Sequence, residues 1–149
     1  MNIELITTLI AIYGAILSTI AIVWNVYNKL MDKPKIRVSS GVGVLSLEPV
    51  QEIISFEAIN SGRYTVFLSS AGINFKNNKK MFFVGVEDQL PKELLPGKNH
   101  TIFRPLYELI AEIKKVGEPD YVWFRDQTGK EYRGGMVNLK NFMGNINEK

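Results

Sequence analysis

Hydrophobic and polar positions divide the chain into two parts. From Leu5 to Asn28 there are 24 consecutive residues without a formal charge, and nearly all charged residues follow this run. A helix needs about 20 mainly apolar residues to cross the hydrocarbon core of a bilayer, and its backbone groups are then hydrogen-bonded within the helix. Trp24 and Tyr27 lie near the end of the run, where amphipathic rings favour the headgroup level. The pattern predicts a single transmembrane helix over residues 1–30.

A cleavable secretory signal is the nearest alternative, because it also begins with an apolar run near the N-terminus. Residues 1–4 carry no basic side chain, however, and a signal peptide needs a basic n-region. Thr19-Ile20-Ala21 is a weak cleavage sequence, and the apolar run continues beyond it. We therefore interpret the segment as an uncleaved anchor.

Basic residues flank the apolar run only on its C-terminal side. They are Lys29, Lys33, Lys35 and Arg37. Asp32 is the one acidic side chain among them, and Glu4 with the α-amine precedes the run. The positive-inside rule then predicts a protein of the inner membrane with its N-terminus outside and its C-terminal domain in the cytoplasm. The same basic residues are suited to contact anionic lipid headgroups.

One face of the predicted helix consists of small or polar residues at alternating spacings of three and four. This predicted helix–helix interface is formed by Thr7, Ala11, Gly14, Ser18, Ala21, Asn25 and Asn28. Small residues let membrane helices approach closely, and polar side chains hydrogen-bond between them. The 3.5-residue period favours a left-handed crossing. We predict self-association or docking on a partner membrane helix; the alternative is that such residues are simply common in membrane helices.

The rest of the chain reads as short strands separated by turn signals. Strands are predicted over residues 36–47, 53–59, 64–75, 81–86, 100–103, 121–125 and 130–137. A helix is predicted over residues 105–116 with Pro105 at its first position, and a loop over residues 89–98. The glycine pairs Gly41/Gly43 and Gly134/Gly135 are interpreted as bulges or bends.

This pattern predicts a mainly β fold. Seven strands at spacings of 8–15 residues with one inserted helix favour an antiparallel, immunoglobulin-like β-sandwich over residues 36–138. Residues 31–35 form a juxtamembrane linker, because Pro34 ends the helix. Residues 139–149 form a polar C-terminal tail.

Several strand ends and turns carry a family resemblance. They are Phe56, Ala58, Asn60, Gly62-Arg63, Thr65-Val66, Gly72-Ile73, Leu90-Pro91, Leu95-Pro96-Gly97 and Asp126-x-Thr128-Gly129-Lys130-x-Tyr132. The series resembles small, uncharacterised prokaryotic single-pass membrane proteins with an immunoglobulin-like sandwich after the anchor, and the likeness covers most of residues 1–137. The resemblance implies this fold, and it implies no activity and no functional residue.

The composition limits the chemistry. The chain has no cysteine, which excludes disulfides, cysteine-ligated zinc and thiol nucleophiles. Its one histidine, His100, cannot build the usual histidine-rich zinc site, and we interpret it as an ordinary surface residue. Asp126 is predicted to cap its turn, while Glu108 and Glu112 are predicted to lie on a solvated helix face. Because no Walker motif or dinucleotide fingerprint is present, we predict no enzyme and no cofactor.

Nucleic-acid binding has little support. The net charge of +3 is modest and scattered. Lys76, Lys79 and Lys80 lie near Phe82 and Phe83, but a hairpin tip with alternately buried phenylalanines explains this mixture equally well. We predict no nucleic-acid partner.

Three functions remain open from the sequence. The leading hypothesis is a membrane-anchored, non-enzymatic module that binds a protein partner at the inner membrane face. The second is a membrane-acting effector, holin-like or toxin-like, whose helices assemble in the bilayer. The third is an enzyme or small-ligand domain, which would need a deep pocket with convergent polar groups.

Overall fold

The computed structural model describes residues 3–46, 50–84 and 89–139. The chain divides into two units, Met1–Lys33 and Pro34–Lys149. The first unit contains helix α1 (Ile3–Met31), which is 29 residues long. Its segment Ile3–Leu30 is long and apolar enough to cross a membrane, and its most apolar stretch has no residue buried by the protein.

The described residues of the second unit form eight strands and one helix. In chain order these are β1 (Ile36–Leu45), β2 (Gln51–Asn60), β3 (Val66–Phe75), β4 (Lys80–Phe82), β5 (Lys92–Leu94), β6 (Asn99–Pro105), α2 (Leu106–Val116), β7 (Pro119–Asp126) and β8 (Glu131–Gly135). Sheet A has the strand order β1-β2-β6. Sheet B has the order β4-β3-β7-β8, and β5 also pairs with β3. Every pairing is antiparallel, which confirms a mainly β fold with antiparallel sheets after an N-terminal apolar helix.

The two sheets share one hydrophobic core. Strand β2 turns Ile54, Phe56 and Ala58 inward at alternate positions, as the period of two along a strand requires. Sheet B contributes an inward set from β3 and β7: Leu68, Ala71, Ile73, Phe75, Val122 and Phe124. Helix α2 adds the four residues of its apolar face, Leu106, Leu109, Ile110 and Ile113. Full burial of one such side chain contributes about 1.5–3 kcal/mol.

A side chain joins the two sheets along one edge. Ser40 of β1 donates from its hydroxyl to the carbonyl of Gly135 at 2.9 Å and accepts from the amide of Val137 at 2.7 Å. At Gly134 an added Cβ would lie 2.2 Å from the carbonyl oxygen of Val38. Gly134 and Gly135 pair with Val122 and Tyr121 in a regular register, so the expectation of a bulge or bend there is wrong. Gly134 instead permits close approach of β8 to β1.

The positions of irregular pairing in β1 and β3 also differ from the predictions. Gly41 and Gly43 lie in an unbroken register that runs from Ile36 opposite Asn60 to Leu45 opposite Gln51. Register shifts occur instead in β3, between Leu68 and Ser70 and between Asn74 and Phe75. The position of a register shift depends on both paired strands, so it cannot be predicted from the sequence of one strand.

The predicted loop over residues 89–98 contains strand β5. Pro91 precedes the strand, where its missing amide costs no ladder bond. Leu94 pairs with Val66 and is buried in the core.

The start of α2 and the tail also differ from the predictions. Pro105 is the N-cap residue of α2, not the first residue of the helix. Leu139, assigned to the tail, is buried in the core, while residues 140–149 and the predicted strand residues 47, 85 and 86 lie outside the described residues.

A buried asparagine organises one end of the second unit. Asn60 donates from Nδ2 to the carbonyls of Tyr64 (2.7 Å) and Leu94 (2.8 Å), and its Oδ1 accepts from the amide of Gly62 at 3.0 Å. Its backbone oxygen accepts from Gly97, and its backbone amide donates to Lys98. One side chain thus connects the turn after β2 to the turn between β5 and β6.

Candidate interaction surfaces

The predicted helix–helix interface lies along α1. Six of its seven residues are exposed and Asn28 is half-buried, and continuous helix from Ile3 to Met31 brings residues at this spacing onto one face. At Gly14 an added Cβ would meet nothing within 4 Å, so the helix backbone is open there. The face is therefore accessible to another helix, and its use as an interface stays a prediction.

The hydroxyls of α1 are already used as donors. Thr7 and Ser18 donate to the carbonyls four residues earlier, Ile3 at 2.9 Å and Gly14 at 2.6 Å. Bonds of this kind satisfy the hydroxyl hydrogen within the helix. Between helices, this face accordingly offers close packing over small residues and the side-chain amide of Asn25 in preference to hydroxyl donors.

The basic residues after the apolar run belong to different units. Lys29 lies in the last turn of α1, where a cation interacts favourably with the helix dipole, and Lys33 ends the first unit. Lys35 and Arg37 belong to the second unit. The carbonyl of Lys35 accepts from both the amide and the hydroxyl of Ser61, so the start of β1 is tied to the turn after β2.

A tryptophan cluster covers the outer face of sheet B. Trp123 lies on the opposite face of β7 from its neighbours Val122 and Phe124, which belong to the core. Its ring lies over Gly72 of β3, where an added Cβ would be only 2.8 Å from it. The ring is nevertheless 0% exposed. Phe82 packs edge-on at 5.1 Å between ring centroids, and the cations of Lys80 and Arg125 each lie 5.2 Å from the ring centroid. We call these residues, with Glu131, the Trp123 cluster.

Glu131 holds the cations of this cluster in place. Its Oε2 accepts from Lys80 at 2.7 Å and from Arg125 at 3.4 Å, and its Oε1 accepts from Arg133 at 3.0 Å. Desolvation by burial acts to raise the pKa of Glu131, but the hydrogen bonds and charge of these cations outweigh it, so the pKa lies below its ordinary value. Glu131 thus binds the two cations, Lys80 and Arg125, that lie over the Trp123 ring.

Two donors of the Trp123 cluster have no acceptor among the described residues. Trp123 Nε1 and Arg125 Nε are both buried and make no hydrogen bond there. A buried donor left unsatisfied costs about 1–3 kcal/mol. The cluster therefore combines a half-exposed aromatic ring, Phe82, with unused hydrogen-bonding capacity toward an acceptor.

The Trp123 cluster is not among the residues that the sequence predicts to be functional. Its signal was the period of two in Tyr121-x-Trp123-x-Arg125 and in Glu131-x-Arg133, which places each set on one face of a strand. The pairing of β7 with β8 sets Arg125 opposite Glu131. Which face is the outer one depends on the core, so the pattern alone could not distinguish the cluster from core residues.

The lysine and phenylalanine group between β3 and β4 separates in the structure. Lys76 pairs with Glu118 at 2.9 Å and Lys80 pairs with Glu131. Phe83 is buried against Phe56, with 4.8 Å between ring centroids, whereas Phe82 lies on Trp123. The two phenylalanines thus face opposite sides of sheet B, as the hairpin interpretation predicts.

His100 is buried rather than exposed. It retains 8% of its surface and its ring lies edge-on to Phe124 at 6.5 Å. The surface interpretation is wrong because His100 shares the inward face of β6 with Ile102, two residues further on. Glu108 and Glu112 are exposed on α2, as expected.

Asp126 caps the turn between β7 and β8, as predicted. Its Oδ1 accepts from the amides of Thr128 (2.9 Å) and Lys130 (3.0 Å) and from the Thr128 hydroxyl, and its Oδ2 accepts from Tyr132. Desolvation acts to raise the pKa of Asp126, but these hydrogen bonds outweigh it and lower the pKa. Burial and the neighbouring carboxylate raise the pKa of Tyr132 to about 12.

The described residues contain an open cleft but no cluster of metal-ligating side chains. Within residues 3–46, 50–84 and 89–139, no group of three or more histidines or carboxylates is placed to hold a metal ion. An open cleft of about 350 Å³ lies between β4 and α2, lined by Phe83, Arg104, Leu109 and Glu112 among others. Its charged lining residues are Arg104, Glu112 and Lys115.

Comparisons with known proteins do not identify a family. No family model matches the chain, and no curated protein matches it. A crystal structure of the putative ApaA protein from Bordetella pertussis has 12% identity and a TM-score of 0.34, covering 72% of this chain and 92% of that protein. A structural genomics target has 10% identity and a TM-score of 0.28, covering 72% and 84%. At these TM-scores neither likeness assigns a fold or a function.

Proposed function

We propose that this chain is a membrane-anchored, non-enzymatic interaction module. Helix α1 spans the inner membrane with its N-terminus outside, and the β domain binds a protein partner at the cytoplasmic face. The observation that carries the proposal is the exposed apolar surface along the whole of α1. Contiguous apolar patches larger than a few hundred Å² are rare on soluble monomers, and a bilayer would cover this one.

The β domain is proposed to be an immunoglobulin-like sandwich. In that fold, strands A, B and E share one sheet, strands C, F and G share the other, and C′ joins the second sheet beside C. The orders β1-β2-β6 and β4-β3-β7-β8 correspond to A-B-E and C′-C-F-G, which supports the assignment. Helix α2 then occupies the connection from E to F. Fold analogy alone would not locate a binding surface on the domain. A specific group of residues must therefore be identified.

The Trp123 cluster is the proposed partner-binding site. Phe82 supplies half-exposed aromatic surface, and aromatic residues and arginine are enriched at the centres of interfaces. Lys80 and Arg125 keep 32% and 35% of their side chains exposed, so they are cationic donors within reach of an acceptor on the partner. The partner chemistry that fits is therefore an apolar contact combined with a carboxylate or carbonyl oxygen.

Site-specific photo-crosslinking in cells tests this site. A photoreactive amino acid replaces Phe82 in the full-length protein, and the matched control places it at Ser39, an exposed residue on β1 of sheet A. We expect a discrete adduct from position 82 alone, reduced at least fivefold by Arg125→Ala. Equal adducts from both positions, or an adduct that ignores Arg125→Ala, would remove the cluster from the proposal.

Membrane insertion and orientation are tested separately. Because the chain has no cysteine, a single cysteine at Gln127 reports the location of the β domain. We expect the protein to resist alkaline extraction, and we expect an impermeant maleimide to label Gln127→Cys only after the membrane is opened. Labelling of Gln127→Cys in intact cells would show that the β domain lies outside the cell. Release of the protein by alkali would show that α1 is not a membrane anchor.

The effector hypothesis is the second candidate, and the accessible small-residue face of α1 favours it. The absence of a charged residue from Leu5 to Asn28 makes a single helix a poor lining for an aqueous pore. Expression of the wild-type chain is compared with a variant in which Ala11, Gly14, Ser18 and Ala21 are all leucine. Depolarisation by the wild type alone would favour the effector, and unchanged membrane potential in both strains would exclude it.

A further inference from the structure

Four segments meet at the end of the β domain where the chain enters it. They are residues 34–37 at the start of β1, 61–65 after β2, 95–99 before β6 and 127–130 before β8. Antiparallel pairing sets the start of β1 beside the end of β2, and the end of β2 beside the start of β6. We call this set the entry end.

The charge of the entry end has one sign. Its basic residues are Lys35, Arg37, Arg63, Lys98 and Lys130, and none of the four segments contains an acidic residue. Carboxylates lie at its border: Glu57 accepts from the Asn99 side chain at 2.6 Å, and Glu93 is exposed on β5. All five side chains are exposed. At the opposite end, the described residues mix both signs: Lys76, Lys79, Lys114 and Lys115 lie with Glu108, Glu112, Glu118 and Asp120. The asymmetry gives the domain a basic end and a mixed end.

Apolar side chains lie among these cations. Tyr64 is 50% exposed and Leu95 is 49% exposed, and Phe67 is half-exposed close by on β3. Leu95 begins a turn in which Gly97 has a φ of 73° and Lys98 donates to the Leu95 carbonyl at 3.1 Å. A tyrosine ring is suited to the headgroup region, and basic residues beside apolar tips are typical of surfaces that enter a bilayer interface.

The entry end is built as a rigid surface. Asn60 connects the 61–65 and 95–99 segments through its side chain and backbone, and Ser61 connects the first of these to Lys35. Gln127 donates from its amide to the carbonyl of Phe67, which ties the fourth segment to β3. Because the loops are held already, binding costs little ordering entropy.

We propose that the entry end docks on anionic lipid headgroups of the membrane that α1 spans. The inference rests on the proposed function, because it requires α1 to be inserted. Residues 32–35 connect α1 to β1, and four residues reach at most about 14 Å. The connection is therefore short enough to bring this end within one Debye length, about 8 Å at physiological salt, of a bilayer crossed by α1, and at that distance basic side chains are attracted to anionic lipid.

The test uses the full-length protein in nanodiscs. A fluorophore on Gln127→Cys reports the entry end, and one on Ala111→Cys, exposed on α2, reports the opposite end. Nitroxide-headgroup lipid quenches fluorophores near the bilayer. We expect quenching of the Gln127→Cys label to be at least twofold greater in discs with 30% phosphatidylglycerol than in phosphatidylcholine discs, with no such difference for the Ala111→Cys label.

Matched charge variants separate docking from folding. Arg63→Gln/Lys98→Gln/Lys130→Gln should abolish the lipid-dependent difference, whereas Lys76→Gln/Lys79→Gln/Lys115→Gln, which removes the same charge at the mixed end, should preserve it. Equal quenching in both lipids, or equal effects of the two variants, would overturn the docking proposal while leaving the anchor intact. Failure of the protein to enter nanodiscs would overturn both.

Discussion

Single polar side chains hold the turns of the β domain. Asn60 and Asp126 are both buried, and each accepts or donates at least three hydrogen bonds to neighbouring turn atoms. Buried polar groups of this kind are stabilising only while their partners remain. Their replacement therefore acts on the loops of the entry end more than on the hydrophobic core.

Asp126 makes stability depend on acid. Because the folded-state pKa of Asp126 is lowered, its contribution is complete above the unfolded pKa of about 3.9 and is lost as the pH falls through the folded value. We expect Asp126→Asn to lower the free energy of unfolding by about 1–3 kcal/mol at pH 7 and to flatten its fall below about pH 4. Thermal unfolding of the detergent-solubilised protein between pH 2.5 and 7 measures this.

The exposed Asp120→Asn is the control for that experiment. It alters charge by the same amount without touching the turn, so its unfolding curve should follow that of the wild type at pH 7. If the stability of Asp126→Asn still falls below about pH 4 as in the wild type, another carboxylate is responsible for the acid dependence.

Substitution of Asn60 is expected to destabilise the β domain more than substitution of Asp126. Asn60→Ala leaves the Tyr64 and Leu94 carbonyls and the Gly62 amide without their side-chain partner. We expect a loss of about 2–4 kcal/mol, since each unsatisfied buried group costs about 1–3 kcal/mol. Denaturant unfolding measures the loss, and a change below about 0.5 kcal/mol would show that water replaces the side chain.

At the scale of elements, close contact between β1 and β8 joins sheet A to sheet B. Gly134 has no room for a side chain, whereas an added Cβ at Gly135 would meet nothing within 4 Å. Two adjacent glycines of one strand therefore differ in their environment although their residue type is the same.

Alanine substitution tests this contact. Gly134→Ala would push a methyl group into the Val38 carbonyl, and we expect a loss of about 1–3 kcal/mol or more because overpacking displaces the backbone. Gly135→Ala is the matched control and should change stability by less than about 0.5 kcal/mol. Equal stability of the two variants would show that β1 and β8 separate without cost.

At the scale of the whole molecule, the two units are suited to different surroundings. Helix α1 exposes apolar surface along its length, whereas the β domain buries its own core and exposes charges. Association through the small-residue face of α1, which stays a prediction, would determine the oligomeric state of the chain.

Enlarging the small face of α1 tests that association. With Ala11, Gly14, Ser18 and Ala21 replaced by leucine, close approach of two helices is blocked, and we expect energy transfer between labelled copies in vesicles to fall at least threefold. The control variant carries the same number of leucine substitutions on the opposite face of α1, where no small residue is enlarged. Its substitutions are Ile12→Leu, Ile16→Leu, Ile20→Leu and Val23→Leu. Unchanged transfer in the first variant would exclude this face as the interface.

Features that depend on neighbouring residues were readable from the sequence. The uncharged run, the Asp126 turn with Gly129 at a φ of 87°, and the apolar face of α2 are all local patterns. The small-residue face of α1 follows in the same way from helical periodicity, although its role as an interface stays a prediction. The strand alternation of β2 was also readable, since a period of two needs no knowledge of the partner.

Features that depend on distant pairing were decided only by the tertiary structure. The burial of His100, strand β5, and the close approach at Gly134 each depend on a segment many residues away. The Trp123 cluster needs β3, β4, β7 and β8 side by side before its cations meet the ring. The sequence by itself determined which residues alternate and where the chain turns; the pairing of strands decided which side of each alternation became core, because burial is a property of two surfaces in contact.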